Sequence, residues 1–158
     1  MQGDAKVIAA LQAQLKNELT ALNQYYMHYR LFKHWGFELL ARREYKASIG
    51  EMKHADRLMD RILVLDGLPN LQDLGKLQIG EDVPEALACD LRLEQAAQRC
   101  MKDGIAAAEA AQDYVSRSLL GELLDDTEEH LDWLETQLGL IDATGLANYL
   151  QTQMGDAG

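Results

Sequence analysis

Apolar residues return every three or four positions along four long stretches of this chain, joined by two short breaks and one long one. That period belongs to helices that each bury one face. The first stretch runs from about Lys6 to Trp35 and is expected to break at Gly36. The second runs from about Glu38 to Asp66 and stops at "DGLPN", where Gly67 and Pro69 end a helix. Residues 67–82, "GLPNLQDLGKLQIGED", have no regular period and read as a long connection. A third helix starts near Pro84, with Asp82 suited to cap it, and reaches about Ala111. The fourth spans about Asp113 to Asp142, and "LANYLQTQM" reads as a short fifth over about 145–153. Four helices joined short, long, short close into an antiparallel bundle with one crossover. The expected fold is all-α, a single domain over 1–158 with the bundle over about 6–142.

The bulk chemistry narrows the partners. With 158 residues, 47% hydrophobic and 26% charged, the chain is long enough for one real core. A net charge of −11 repels nucleic-acid backbones and anionic membranes, so neither is expected as a partner, and it attracts cations. The opening "MQGDAKVIAALQAQL" carries an acid among its apolar residues, unlike a signal peptide. No apolar run approaches the roughly 20 residues that span a bilayer. Cys89 and Cys100 fall on one predicted helix, roughly 16 Å apart and beyond disulfide reach. Two free thiols suit a reducing cytoplasm.

Tracing the buried stripe of each helix exposes residues that do not belong in an apolar core. Glu18 follows Leu11 and Leu15 on the first, and Glu51 and His54 stand between Ala47 and Leu58 on the second. Glu94 lies between Leu91 and Met101 on the third, and Thr127 and His130 lie between Leu123 and Leu134 on the fourth. A buried glutamate must find a partner or stay protonated. Three glutamates and two histidines at one depth call for positive charge, and carboxylate oxygen with imidazole nitrogen suits iron, manganese or zinc. Glu51 and His54, three apart, sit about 60° from each other around the helix and can grip one ion together.

These residues sit in longer stretches that resemble the bacterioferritins, the haem-containing branch of the ferritin-like proteins. They include "NELTALNQYYMH" around Glu18, "EMKHAD" at 51–56, "ILVLDGLPNLQDLGKLQIGED" across the connection, "DYVSR" at 113, "HLDWLETQL" at 130 and "GLANYLQ" at 145. The resemblance covers essentially the whole chain. It implies a ferritin-like cage of 24 subunits that oxidises ferrous iron with oxygen or peroxide and stores the ferric mineral. Carried over by position, Glu18 and His54 would hold one iron, Glu94 and His130 the other, and Glu51 would bridge them. It also implies haem b between two subunits, held by Met52 of each. Met52 is about 160° around the helix from His54, so it is expected to face out of the bundle, beside Lys53. A small reducing ferredoxin would dock near the haem, around Leu68, Glu81 and Glu85.

One position departs from that pattern. Where the family places a second bridging glutamate, this chain has Thr127, which is shorter and carries no charge. Glu128 is expected to face solvent, and Asp126 lies about 40° from His130 on the flank away from Thr127. Only a local bulge would bring either of them inward. The resemblance therefore implies slow or absent oxidation by this chain alone, with a sister subunit in a mixed cage supplying a complete site. Tyr25 shares the face of Glu18 and is placed to reach a ligand carboxylate. Trp35 and Trp133 read as packing residues, and His28 and His34 as surface or interface histidines.

Overall fold

The computed structural model describes residues 1–155, so the last three residues of the expected domain, 156–158, lie outside the described residues. Five helices follow in order: α1 Ala5–Trp35, α2 Glu38–Val64, α3 Val83–Ala110, α4 Tyr114–Thr144 and α5 Leu146–Gln153. No strand occurs among the described residues. The all-α bundle with a long crossover and a short tail helix is the architecture the periodicity implies.

The helix ends follow from local chemistry. Asp4 caps α1, its Oδ1 accepting from the Lys6 N–H at 2.8 Å and the Val7 N–H at 3.2 Å. Asp82 caps α3 through the Glu85 N–H at 2.9 Å. Three C-termini close the same way, with a left-handed residue and two reversed hydrogen bonds. Those residues are Gly36 (φ 93°), Asp66 (φ 63°) and Gln112 (φ 57°). After each, the next N–H reaches back five residues, as Gly67 does to the Ile62 carbonyl at 2.8 Å. α2 thus ends earlier than the Asp66 expected from sequence, because Asp66 is itself the left-handed residue.

The crossover is pinned along α1 by a row of polar side chains. Gln12 Nε2 donates to the Leu68 carbonyl at 2.6 Å and Gln12 Oε1 accepts from the Asn70 N–H at 3.0 Å. Further along, Thr20 Oγ1 accepts from the Gly75 N–H at 2.8 Å, Gln24 Oε1 from Gln78 at 3.1 Å and His28 Nε2 from Gly80 at 3.0 Å. Both chains advance in the same direction. The segment therefore carries the chain back along the bundle, and α3 starts at the end where α2 started.

Two apolar clusters result. One gathers Val7, Leu11 and Leu15 of α1 with Leu58, Ile62, Met101, Leu120 and Leu123. The other gathers Phe32, Leu40, Val83, Leu87, Leu134 and Tyr149 of α5. Each fully buried large side chain contributes about 1.5–3 kcal/mol. Between the clusters, every long helix carries buried polar residues instead. Trp35 and Trp133 are half-buried against the second cluster, as packing residues should be. No described helix is long and apolar enough to cross a membrane.

Candidate metal centre

The polar layer between the two cores brings together the five residues singled out from the stripes. Glu18 comes from α1, Glu51 and His54 from α2, Glu94 from α3 and His130 from α4. Ligand-type atoms of Glu18, Glu51 and His54 lie within 4.8 Å of one another, and so do those of Glu51, Glu94 and His130. Glu51 belongs to both groups, the position a bridging carboxylate occupies between two cations.

Both histidines turn Nδ1 toward the centre. His54 Nδ1 stands 3.5 Å from Glu18 Oε2 and 3.8 Å from Glu51 Oε2, and His130 Nδ1 stands 3.2 Å from Glu94 Oε1. Glu18 Oε2 and His54 Nδ1 are buried with no hydrogen-bond partner, atoms left free for a cation. Burial raises the Glu18 carboxyl above its usual range, against the lowering pull of His54. Burial opposes charge on His54, but Glu18 and Asp126 outweigh it and the ring's pKa rises. A cleft of about 380 Å³ opens onto the centre, lined by Lys46, Glu51, His54, Asp126, Thr127 and His130 among others.

Around these residues lies a supporting shell. Gln14 Nε2 donates to Glu18 Oε1 at 2.8 Å. The Tyr25 hydroxyl donates to Glu94 Oε1, and the Tyr25 ring meets the His130 ring edge-on at 5.3 Å. Burial first, and Glu94 second, push the Tyr25 hydroxyl well above its ordinary pKa, so it stays a donor.

A ferritin-like domain model matches residues 8–144. A bacterioferritin of Brucella melitensis is 45% identical over 157 residues, 99% of this chain and 98% of the relative. The bacterioferritin BfrA of Mycobacterium tuberculosis is 46% identical over 145 residues, covering 92% and 91%. One from Rhodobacter capsulatus is 45% identical, covering 92% and 90%. The chain belongs to the bacterioferritin family.

Thr127 is buried at the edge of the centre. Neither neighbouring acid takes its place. Glu128 points outward, its Oε2 accepting from Gln98 Nε2 at 2.9 Å. Asp126, 62% exposed at its side chain, accepts from His54 Nε2 at 2.8 Å, on the side of the ring away from the centre. α4 continues unbroken through this stretch, with no bulge to redirect it. Met52 faces away from the centre, 47% exposed.

The structure overturns one expectation and adds to another. His28 is not a surface histidine: it is fully buried, its Nδ1 2.9 Å from Asp90 Oδ1. His34 is exposed. Beside His28 lie Glu44 and Asp90, two further buried acids that are absent from the expected site residues. The signal was available: Glu44 is seven residues before Glu51 and Asp90 four before Glu94, on the same faces. His28 likewise follows Tyr25 by three. Ala47 and Tyr29, the apolar residues at neighbouring stripe positions, are only half-buried, and the fully buried positions beside them are Glu44 and His28.

Proposed function

We propose that this chain is a subunit of a cytoplasmic iron-storage cage, formed as one ferritin-like domain. It takes up ferrous iron as substrate at the centre of Glu18, Glu51, His54, Glu94 and His130 and stores the ferric product. The observation that carries the reading is the pair of three-residue groups sharing Glu51 between two apolar cores. Glu18 and His54 bind one ferrous ion, Glu94 and His130 the other, and Glu51 spans both. Oxygen or peroxide accepts the electrons.

The centre is short of negative charge for that task. Glu18, Glu51 and Glu94 supply three negative charges against the four positive charges of two ferrous ions, and Thr127 adds none. His130 and Glu94 then hold the second ion nearly alone. This favours a second reading, in which the chain is the haem-bearing member of a mixed cage and a sister subunit carries the complete oxidation site. In either case Met52 holds haem b with its counterpart from a neighbouring subunit, for which an outward, half-exposed thioether is suited. The haem supplies electron transfer for iron release, with a small reducing ferredoxin as the donor.

Anaerobic titration of the purified chain with ferrous iron, followed by stopped-flow mixing with oxygen, separates the two. A fast phase that saturates at two irons per subunit means that Thr127 is tolerated. Slow oxidation without saturation, with a haem Soret band present, means dependence on a partner chain. No ferrous binding at this centre overturns the first reading, and no binding together with no haem Soret band overturns both.

A further inference from the structure

A second buried cluster, whose acids Asp90 and Glu44 act on the Tyr25 hydroxyl, takes no part in the iron chemistry above. His28 of α1, Glu44 of α2 and Asp90 of α3 are each 1% exposed or less, with ligand-type atoms within 4.8 Å of one another. Their hydrogen bonds decide what they can hold. His28 Nε2 accepts from the Gly80 backbone N–H at 3.0 Å, so Nε2 bears the lone pair and Nδ1 the proton. The neutral ring donates from Nδ1 to Asp90 Oδ1 at 2.9 Å, where Gln24 Nε2 also donates at 2.9 Å. A cation among these residues would have to strip Nδ1 as well and leave an imidazolate. The histidine frame disfavours a metal.

Three oxygens remain unaccounted for. Both carboxyl oxygens of Glu44 and Oδ2 of Asp90 are buried with no donor. Carboxyl oxygens of Glu44 and Asp90 lie within 4.8 Å of each other, and two buried acids that close favour holding one proton between them over ionising together. The charged and titratable groups acting on Glu44 are Tyr25 and His28 from α1, Asp90 and Glu94 from α3, and Arg43 from its own helix; from α4, His130 packs edge-on against the Tyr25 ring. Arg43, its guanidinium 4.7 Å above the Trp133 ring, is the one permanent cation in that set. Burial first, and Asp90 second, hold the Glu44 carboxyl well above its ordinary range.

We propose that Glu44 and Asp90 hold one proton in common, and that the subunit releases it when two cations fill the neighbouring centre, so that the pair supplies the negative charge Thr127 does not. The inference rests on the metal-centre reading above. Asp90 is one helical turn, about 6 Å along the axis, from Glu94. Tyr25 joins the two clusters, donating to Glu94 while lying in the field of Asp90 and Glu44. Positive charge arriving at Glu94 and His130 favours the ionised pair. The O–H bond of Glu44 breaks, its electrons stay on the carboxylate, and the proton passes to solvent.

Zinc, which is redox-inert, tests this on the assembled protein. Calorimetric titration in buffers of different protonation enthalpy counts both zinc bound and protons released. Wild type is expected to release about one proton more per subunit than Glu44→Gln, at two zinc ions in each. The infrared spectrum of the zinc-free wild type is expected to show a protonated-carboxyl C=O band that vanishes on zinc addition and is missing from Glu44→Gln. If that variant does not assemble, Asp90→Asn replaces it in both comparisons, because the raised Glu18 carboxyl can also lose a proton to zinc. Equal proton release, or a carboxyl band unmoved by zinc, overturns the proposal. So does a third zinc per subunit that Glu44→Gln removes, because the cluster would then be a cation site. Failure to bind two zinc ions overturns the metal-centre reading and the coupling together, while the band in the zinc-free protein still reports the shared proton.

Discussion

At the scale of single residues, position 127 sets what the centre can do. Thr127→Glu is expected to supply the missing anion and raise the initial rate of ferrous oxidation at least about tenfold in stopped-flow absorbance, given that each 1.36 kcal/mol is a factor of ten. An unchanged rate would show that the deficit lies elsewhere. Asp126 acts differently, holding the outer nitrogen of His54 so that Nδ1 faces the centre. Asp126→Asn is expected to weaken cation binding by about 10–100-fold in calorimetry without removing a ligand. The pH dependence follows from His54. Its folded pKa is raised above 6.5, and a ligand must be unprotonated to bind. Zinc or ferrous affinity is therefore expected to fall on acidification, beginning above pH 6.5 rather than below it.

At the scale of elements, two joints position the helices that carry the site. Asp113 caps α4 through the Ser116 N–H at 2.9 Å and also accepts from Arg61 Nη2 of α2 at 2.7 Å. Burial alone would raise its carboxyl, but Ser116 and Arg61 outweigh that and lower it below 3.8. A depressed carboxylate pKa stabilises the fold fully above the unfolded value and loses that stabilisation as pH falls through the folded one. Asp113→Ala is expected to cost about 2 kcal/mol in urea unfolding at neutral pH. The gap from wild type should shrink below about pH 4, and a gap constant with pH would refute the ion-pair account. The other joint is Gly80, where an added Cβ would sit 2.2 Å from the Ala86 backbone nitrogen at the start of α3. Gly80→Ala must therefore displace the crossover from α3 and weaken the bond to His28. A loss of more than about 2 kcal/mol is expected, read as a lowered urea midpoint.

At the scale of the whole molecule, two apolar cores hold a polar layer between them. The cores supply the stability, and the layer can keep carboxylates and imidazoles at fixed distances that an apolar interior would not tolerate unaided. Large apolar side chains left exposed, including Met52, Leu63, Val64 and Leu68, are surface that cage assembly would cover. Met52→Leu is expected to abolish the haem Soret band while light scattering still reports a particle of many subunits. A Soret band retained in that variant would move the haem ligand elsewhere.

The helices, their breaks and the five metal-type residues were legible in the sequence because each rests on local rules. A 3.6-residue period, a capping acid or a left-handed turn needs no knowledge of the rest of the chain. Glu18, Glu51, His54, Glu94 and His130 stood out because a polar residue on an apolar stripe is anomalous within its own helix. Met52 could be turned outward by the same helical arithmetic. What tertiary structure decided is what depends on neighbours from other helices and from the crossover. His28 was misplaced at the surface because its partners, Asp90 and Gly80, lie 62 and 52 residues away. Asp126 could be placed on a helix flank, but that it meets the outer nitrogen of His54 is settled by the packing of α4 against α2. A residue's face is fixed by its own helix, and its partner by the fold.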